Sequence, residues 1–253
     1  MTDVCLRGFN ICRAVALLCP DRCIAIHASG IDVPPPRLSR SPVAWTKYHI
    51  ARITRAKFSF LSFGYIPSDF ASLETLSQDH DGNPLFSSCS NFSASLPYAL
   101  ADSPTGLLAF MLGLIRPSNT TYQQDTPSTD NEFDRSTMSF LKPWSSSDIV
   151  TWTMQYWLPG PEAALRWLRN AGRESRPSGD LWKTTSSVPL GISHFRRTSR
   201  TVPPTWASTY HSLAWLRRHQ QIARWPAWER ADDIVLDLRD FAQSATRPHI
   251  EAV

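Results

Sequence analysis

Apolar positions recur at helical spacing near the N-terminus, with Phe9, Cys12, Val15, Ala16 and Cys19 inside residues 8–19. Steps of three and four place them on one face of a helix. Cys12 and Cys19 are expected in the core on that face, because a free cysteine packs as a small hydrophobe. Pro20-Asp21 ends the helix, CIAIHAS (23–29) then reads as a short buried strand, and VPPPR (33–37) is a loop. Farther along, Asp102 is a candidate N-cap with Pro104 in the first turn, ahead of an apolar face of Leu107, Leu108, Met111, Leu112 and Ile115. Ser145-x-x-Asp148 predicts a capping box before Ile149, Trp152 and Tyr156. Pro161-Glu162 opens another helix, which Gly172 closes. SVPLGISHF (187–195) is a strand by composition, whereas the pattern around Leu213–Arg217 fits a strand or a helix. Ala231–Gln243 is amphipathic, with Ile234, Val235, Leu238, Phe241 and Ala242 apolar and Asp232 and Asp233 in its first turn.

The layout is therefore α/β, then a helical insertion, then α/β again. Residues 1–37 form a partial core, 38–182 the helical insertion with a polar loop at 117–143, and 183–253 the returning core. No strand precedes the first helix, so the chain looks cut into a larger α/β unit.

Composition narrows the classes. The chain has 253 residues, 10 Trp, 12 Phe and only 10 Gly, and so many aromatics exclude wholesale disorder. The longest apolar run, Leu107–Ile115, is too short to span a bilayer, so no transmembrane segment is expected. The N-terminus carries Asp3 and lacks a signal peptide's basic flank and cleavage site, which suggests a cytoplasmic protein. The five cysteines are odd in number and contain no CxxC pair, so neither a disulfide framework nor a metal site is expected. Net charge is +4 and pI near 8.9, but the Arg residues read as scattered among carboxylates, and no nucleic-acid partner is expected. Arg217-Arg218-His219 reads as a solvated turn and His211 as a surface or strand-end residue. His27 and His194 read as satisfied near-core histidines. Trp144, Trp152, Trp157, Trp167 and Trp182 read as the core of the helical insertion, or as the wall of an apolar pocket.

Several strings resemble one family. RAVALLCPDRCIAIH, PPPRLSRSPVAW, SFGYIPSDF, YALADSPTGLLAFM, YWLPGPEAALRWL, VPLGISHF and RWPAWERADDIVLDLRDF together resemble epoxide hydrolases of the α/β-hydrolase fold, in the microsomal-like and fungal branch. The resemblance implies the C-terminal part of a truncated α/β-hydrolase fold, with residues 38–182 as a lid. It also implies a fungal secondary-metabolite setting and a cofactor-free opening of a lipophilic epoxide to a vicinal diol. In the family an aspartate attacks an epoxide carbon, two lid tyrosines bind the ring oxygen, and a His oriented by an acid activates water.

The resembled positions hold other residues. The nucleophile position falls on Leu6, the acid on Thr198 and the base on Arg224. The lid tyrosine positions fall near Leu85 or Phe86 and on Trp167. Leucine has no nucleophile, and Arg stays protonated and accepts no proton from water. Asp3 and His219 are the rescue candidates, and Trp152, Tyr156 and Trp167 the candidate pocket wall. The expectation is a degenerate or inactive enzyme. The alternative is a non-catalytic protein that binds an apolar small molecule, self-associates, or pairs with an intact homologue.

Overall fold

The computed structural model describes residues 2–31, 33–78, 95–115, 144–166, 182–196, 202–223 and 225–250. In chain order its elements are α1 (Thr2–Leu18), β1 (Ile26–Ala28), α2 (Pro42–Ile53), α3 (Pro67–Gln78), α4 (Leu96–Asp102), α5 (Pro104–Ile115) and α6 (Ser146–Trp157). They continue with β2 (Ser186–Arg196), β3 (His211–Ile222), α7 (Pro226–Glu229) and α8 (Ala231–Ile250). Two compact units separate along the chain: residues 81–174, and residues 2–80 with 175–253. Segment 38–80 thus groups with the sheet.

The three strands form one sheet in the order β1-β2-β3, parallel throughout. Ile26 pairs with Leu190, and Gly191 with Trp215. Pro189 cannot donate to the ladder, and the register shifts between Ser186 and Pro189, where a proline is tolerated. Leu190 and Ile192 are fully buried, as the middle strand of a parallel sheet requires. Phe9 and Ala16 of α1, Tyr48 and Ala51 of α2, and Trp206 and Tyr210 before β3 complete the core. The segment around Leu213–Arg217 is strand.

Three expectations about helix faces are corrected. On α1 the buried positions are Phe9, Arg13 and Ala16, and Cys12 and Cys19 are exposed. The cause is Arg13, which is wholly buried with its guanidinium bound to backbone carbonyls and laid over an indole. Turning Arg13 inward rotates Cys12 and Val15 outward. On α8 the buried positions are Asp237 and Phe241, while Val235, Leu236, Leu238 and Ala242 are exposed. There Gly191 sets the contact, since a Cβ on it would lie 2.7–2.9 Å from the Phe241 ring. Ser103, not Asp102, caps α5: Asp102 is the last residue of α4, and the extended Ser103 accepts from the Gly106 N–H at 3.0 Å.

In the other unit the capping box at the start of α6 is present. The Asp148 N–H donates to Ser145 Oγ at 3.1 Å, and the Ser145 N–H to Asp148 Oδ2 at 3.0 Å. The Ser145 hydroxyl, which donates to Asp148 Oδ2 at 2.6 Å, and then the Ser145 N–H hold the Asp148 carboxyl below its usual range. The helix begun at Pro161 is described through residue 166, and Gly172 lies outside the described residues.

Candidate functional site at the sheet's C-terminal edge

Open parallel sheets bind ligands at the carboxyl ends of their strands, where loops and helix N-termini converge. Here Arg196, at the end of β2, is the register partner of Ile222, at the end of β3. Two residues beyond these strand ends the sequence holds Thr198 and Arg224, both outside the described residues. Beyond them, Trp225 precedes α7 and its N–H donates to Glu229 Oε2 at 3.2 Å. Leu6 and Asp3 lie in the first two turns of α1.

A buried polar cluster sits farther down the sheet, under α8. Asp237 of α8 is fully buried, and groups from two neighbouring strands converge on its carboxylate. Ser193 Oγ of β2 donates to Oδ2 at 2.5 Å, and His219 Nε2 of β3 donates to the same oxygen at 2.7 Å. Arg217 Nη1 of β3 donates to Oδ1 at 2.8 Å, and its Nη2 reaches Asp240 Oδ2 at 2.5 Å. From β1, His27 Nε2 lies 2.9 Å from Ser193 Oγ. Burial alone would raise the Asp237 pKa, but hydrogen bonds from Ser193, His219 and Arg217 outweigh it and hold the carboxyl below its ordinary value. His27 is held below the usual imidazole range by burial, against the pull of Asp237.

Strand alternation explains the cluster. Side chains at i and i+2 share a sheet face, so Arg217 and His219 both meet α8. Arg218 points to the other face and grips Asp69 of α3, at 2.8 and 3.1 Å, together with the Gly64 carbonyl at 3.0 Å. The run read as a solvated turn is a strand segment whose three side chains are all bound. His219 also stacks on Phe195, ring centroids 4.1 Å apart and planes 6° from parallel.

Ser193, His27 and Asp237 have the residue types of a nucleophilic triad but the wrong proton direction. Ser193 gives its proton to the carboxylate, so His27 donates to the hydroxyl and does not take a proton from it. Ser193 is also fully buried, so no substrate carbon reaches it. The cluster fastens α8 to the sheet.

A second buried group lies near the start of β3. Arg13 donates to the Tyr210 carbonyl at 3.0 Å and the Thr184 carbonyl at 2.6 Å, and stands 4.5 Å over the Trp182 ring. His211 Nε2 is 2.7 Å from Arg13 Nη1, so it must accept and the imidazole is neutral. Burial, reinforced by the Arg13 charge, pushes the His211 pKa down to about 3. Burial and neighbouring Arg40 lower Arg13 to about 10, against the pull of Tyr210. His211 opens β3, as its strand-end reading has it, and is buried, contrary to the surface alternative.

By sequence the chain matches no family model and no curated protein. Its structure is similar to the juvenile hormone epoxide hydrolase of the silkworm Bombyx mori, with TM-score 0.59 and 16% identity over 91% of this chain and 52% of that one. The epoxide hydrolase of Aspergillus niger is also similar, with TM-score 0.47 and 21% identity over 92% of this chain and 49% of that one. The parallel three-stranded sheet with its flanking helices matches part of the α/β-hydrolase fold of the silkworm structure, an epoxide hydrolase-like fold. The chain spans about half the length of those structures.

Within that epoxide hydrolase-like fold, the residues named from the sequence divide as follows. Thr198, Arg224 and Trp167 lie outside the described residues, as do Leu85 and Phe86. His219 lies three residues before the end of β3, paired with Phe195, and its ring is turned to Asp237. Trp152 and Tyr156 are half-buried on α6, with Trp152 stacked on Trp144 at 5.2 Å and edge-on to Tyr156 at 6.2 Å. His27 is satisfied by Ser193, as read. Asp237, the acid partner of His219, escaped the sequence reading because it sits among the apolar residues of an amphipathic helix. An acidic residue inside the apolar stripe is the signal that could have found it. Among the described residues no group of three or more metal-ligating side chains is assembled, and no helix is long and apolar enough to cross a membrane.

Proposed function

We propose that the chain is a degenerate epoxide hydrolase that does not turn over epoxides as written. The observation that carries this is what the sequence holds at the positions the resemblance makes catalytic. Residues that would attack the epoxide, orient the base and activate water are replaced by Leu6, Thr198 and Arg224. Loss of one member of such a set costs on the order of 10⁴–10⁶ in turnover, and the members act as a unit. The imidazole–carboxylate pair described in this chain, His219–Asp237, is committed to holding α8.

The activity it descends from is cofactor-free hydrolysis of a lipophilic epoxide to a vicinal diol, in a fungal secondary-metabolite setting and in the cytoplasm. What survives is an apolar binding surface contributed by Trp152, Tyr156 and Trp167, suited to a lipophilic ligand. The test is diol release from a styrene-oxide-type substrate by the purified full chain. No diol above the uncatalysed rate is expected, and sustained release overturns the reading.

A further inference from the structure

The segment from Val33 to Ser68 carries six Lys and Arg (Arg37, Arg40, Lys47, Arg52, Arg55 and Lys57) and no Asp or Glu. The stretch contributes six positive charges to a chain whose net charge is +4. In the same stretch α2 ends in a loop that presents apolar side chains to solvent. Ile53 is 83% exposed, Phe60 78%, Phe58 57% and Phe63 39%. Single exposed apolar residues are ordinary, but four within eleven positions form a patch.

The loop is held in place from below. Ala56 and Tyr65 are buried in the core, and the Ala56 N–H closes back on the Ala51 carbonyl at 2.9 Å. Tyr65 packs on Tyr48 and Phe70, 6.0 and 5.6 Å between ring centroids. Arg55, Ala56 and Phe63 adopt left-handed backbone at φ 49°, 52° and 48°, which costs a residue bearing a Cβ. The chain keeps that strain while pushing Phe58 and Phe60 outward. Lys47, Arg52 and Lys57 are exposed, with the Lys47 ammonium 5.8 Å from the Phe63 ring.

We infer that this loop is a docking surface for an anionic lipid bilayer. Phenylalanine and isoleucine tips enter the headgroup–acyl boundary, and the basic collar meets lipid phosphates and carboxylates. Charge complementarity selects an anionic partner. The paired Phe58 and Phe60 rings, 6.5 Å apart, and the exposed aliphatic Ile53 favour a lipid interior over base stacking. The inference does not depend on the catalytic state, since none of these residues belongs to the strand-end site.

The test is flotation of the full chain with vesicles of phosphatidylcholine alone or with about one-quarter phosphatidylserine. Binding to the anionic vesicles, weakened by raised salt, is expected. Phe58→Ser with Phe60→Ser should lower it about tenfold or more. Arg52→Gln with Lys57→Gln should do the same, each charge near the surface being worth about fivefold. These side chains are exposed, so an unchanged circular dichroism spectrum is expected and serves as the folding control. Equal binding to neutral vesicles, no binding, or parent-like binding by both folded double variants overturns the proposal. So does tighter binding to a duplex oligonucleotide that survives the phenylalanine changes.

Discussion

Asp237 carries the most consequential contacts of any single side chain, because its carboxylate is buried and is reached by Ser193, His219 and Arg217. An asparagine there loses the charge and turns one of the two acceptor oxygens into an amide donor, which then faces Arg217 or the Ser193 and His219 pair. Asp237→Asn should therefore cost about 3–5 kcal/mol, and Ser193→Ala about 1–3, read as shifts in the urea midpoint. A cost under 1 kcal/mol for Asp237→Asn would mean the cluster does not fasten α8. His211 gives the pH dependence. Its pKa of about 3 lies below the unfolded value of about 6.5, so the fold favours the neutral ring. Its contribution is full above pH 6.5 and drains away as pH falls toward 3. His27 is shifted in the same direction by burial. His211→Gln keeps an acceptor for Arg13 without a titrating ring, so its urea midpoint should fall less between pH 7.5 and pH 4.5 than that of the parent chain. Little of this was legible in sequence. A buried Arg and a buried Asp look like surface residues until their partners, nearly 200 and up to 44 positions away, are known.

At the scale of elements, spacing located α1, α6 and α8 and the strand at 187–195, and the capping box of α6 stood in the sequence as it stands in the fold. Which face turns inward was decided by particular contacts. Arg13 fixed the roll of α1, and the fit of Phe241 against Gly191 fixed that of α8. Hydropathy alone averages over such contacts, so Cys12, Cys19, Val235 and Leu238 were placed inward and are exposed. The ambiguity at Leu213–Arg217 has another origin: LAWL is a continuous apolar run, with Leu213 and Leu216 against the core and Trp215 against Phe241, so it shows no alternation. Gly191→Ala tests the α8 contact. A methyl group there meets the Phe241 ring at under 3 Å, and overpacking of this kind costs about 1–3 kcal/mol. Thermal unfolding should shift down accordingly, and Phe241→Leu in the same chain should recover part of the loss. A Gly191→Ala chain as stable as the parent would show that α8 is free to shift.

At the scale of the molecule, the quoted strings implied an epoxide hydrolase-like fold, and the parallel sheet with its structural neighbours has that fold. The chemistry was legible only through the resemblance, which implies that Leu6, Thr198 and Arg224 stand at the family's working positions. Loop 53–63 was not legible as a surface, because nothing in the spacing of Phe58, Phe60 and Phe63 says which way their side chains turn. The central claim is that this fold has lost its reaction, and diol release tests it most directly. The full chain is incubated with styrene oxide beside Asp3→Asn and His219→Asn chains, and diol is quantified against buffer alone. All three are expected to match the buffer rate. Diol from the parent chain well above buffer, abolished by Asp3→Asn or His219→Asn, would show a rescued catalytic set and contradict the claim.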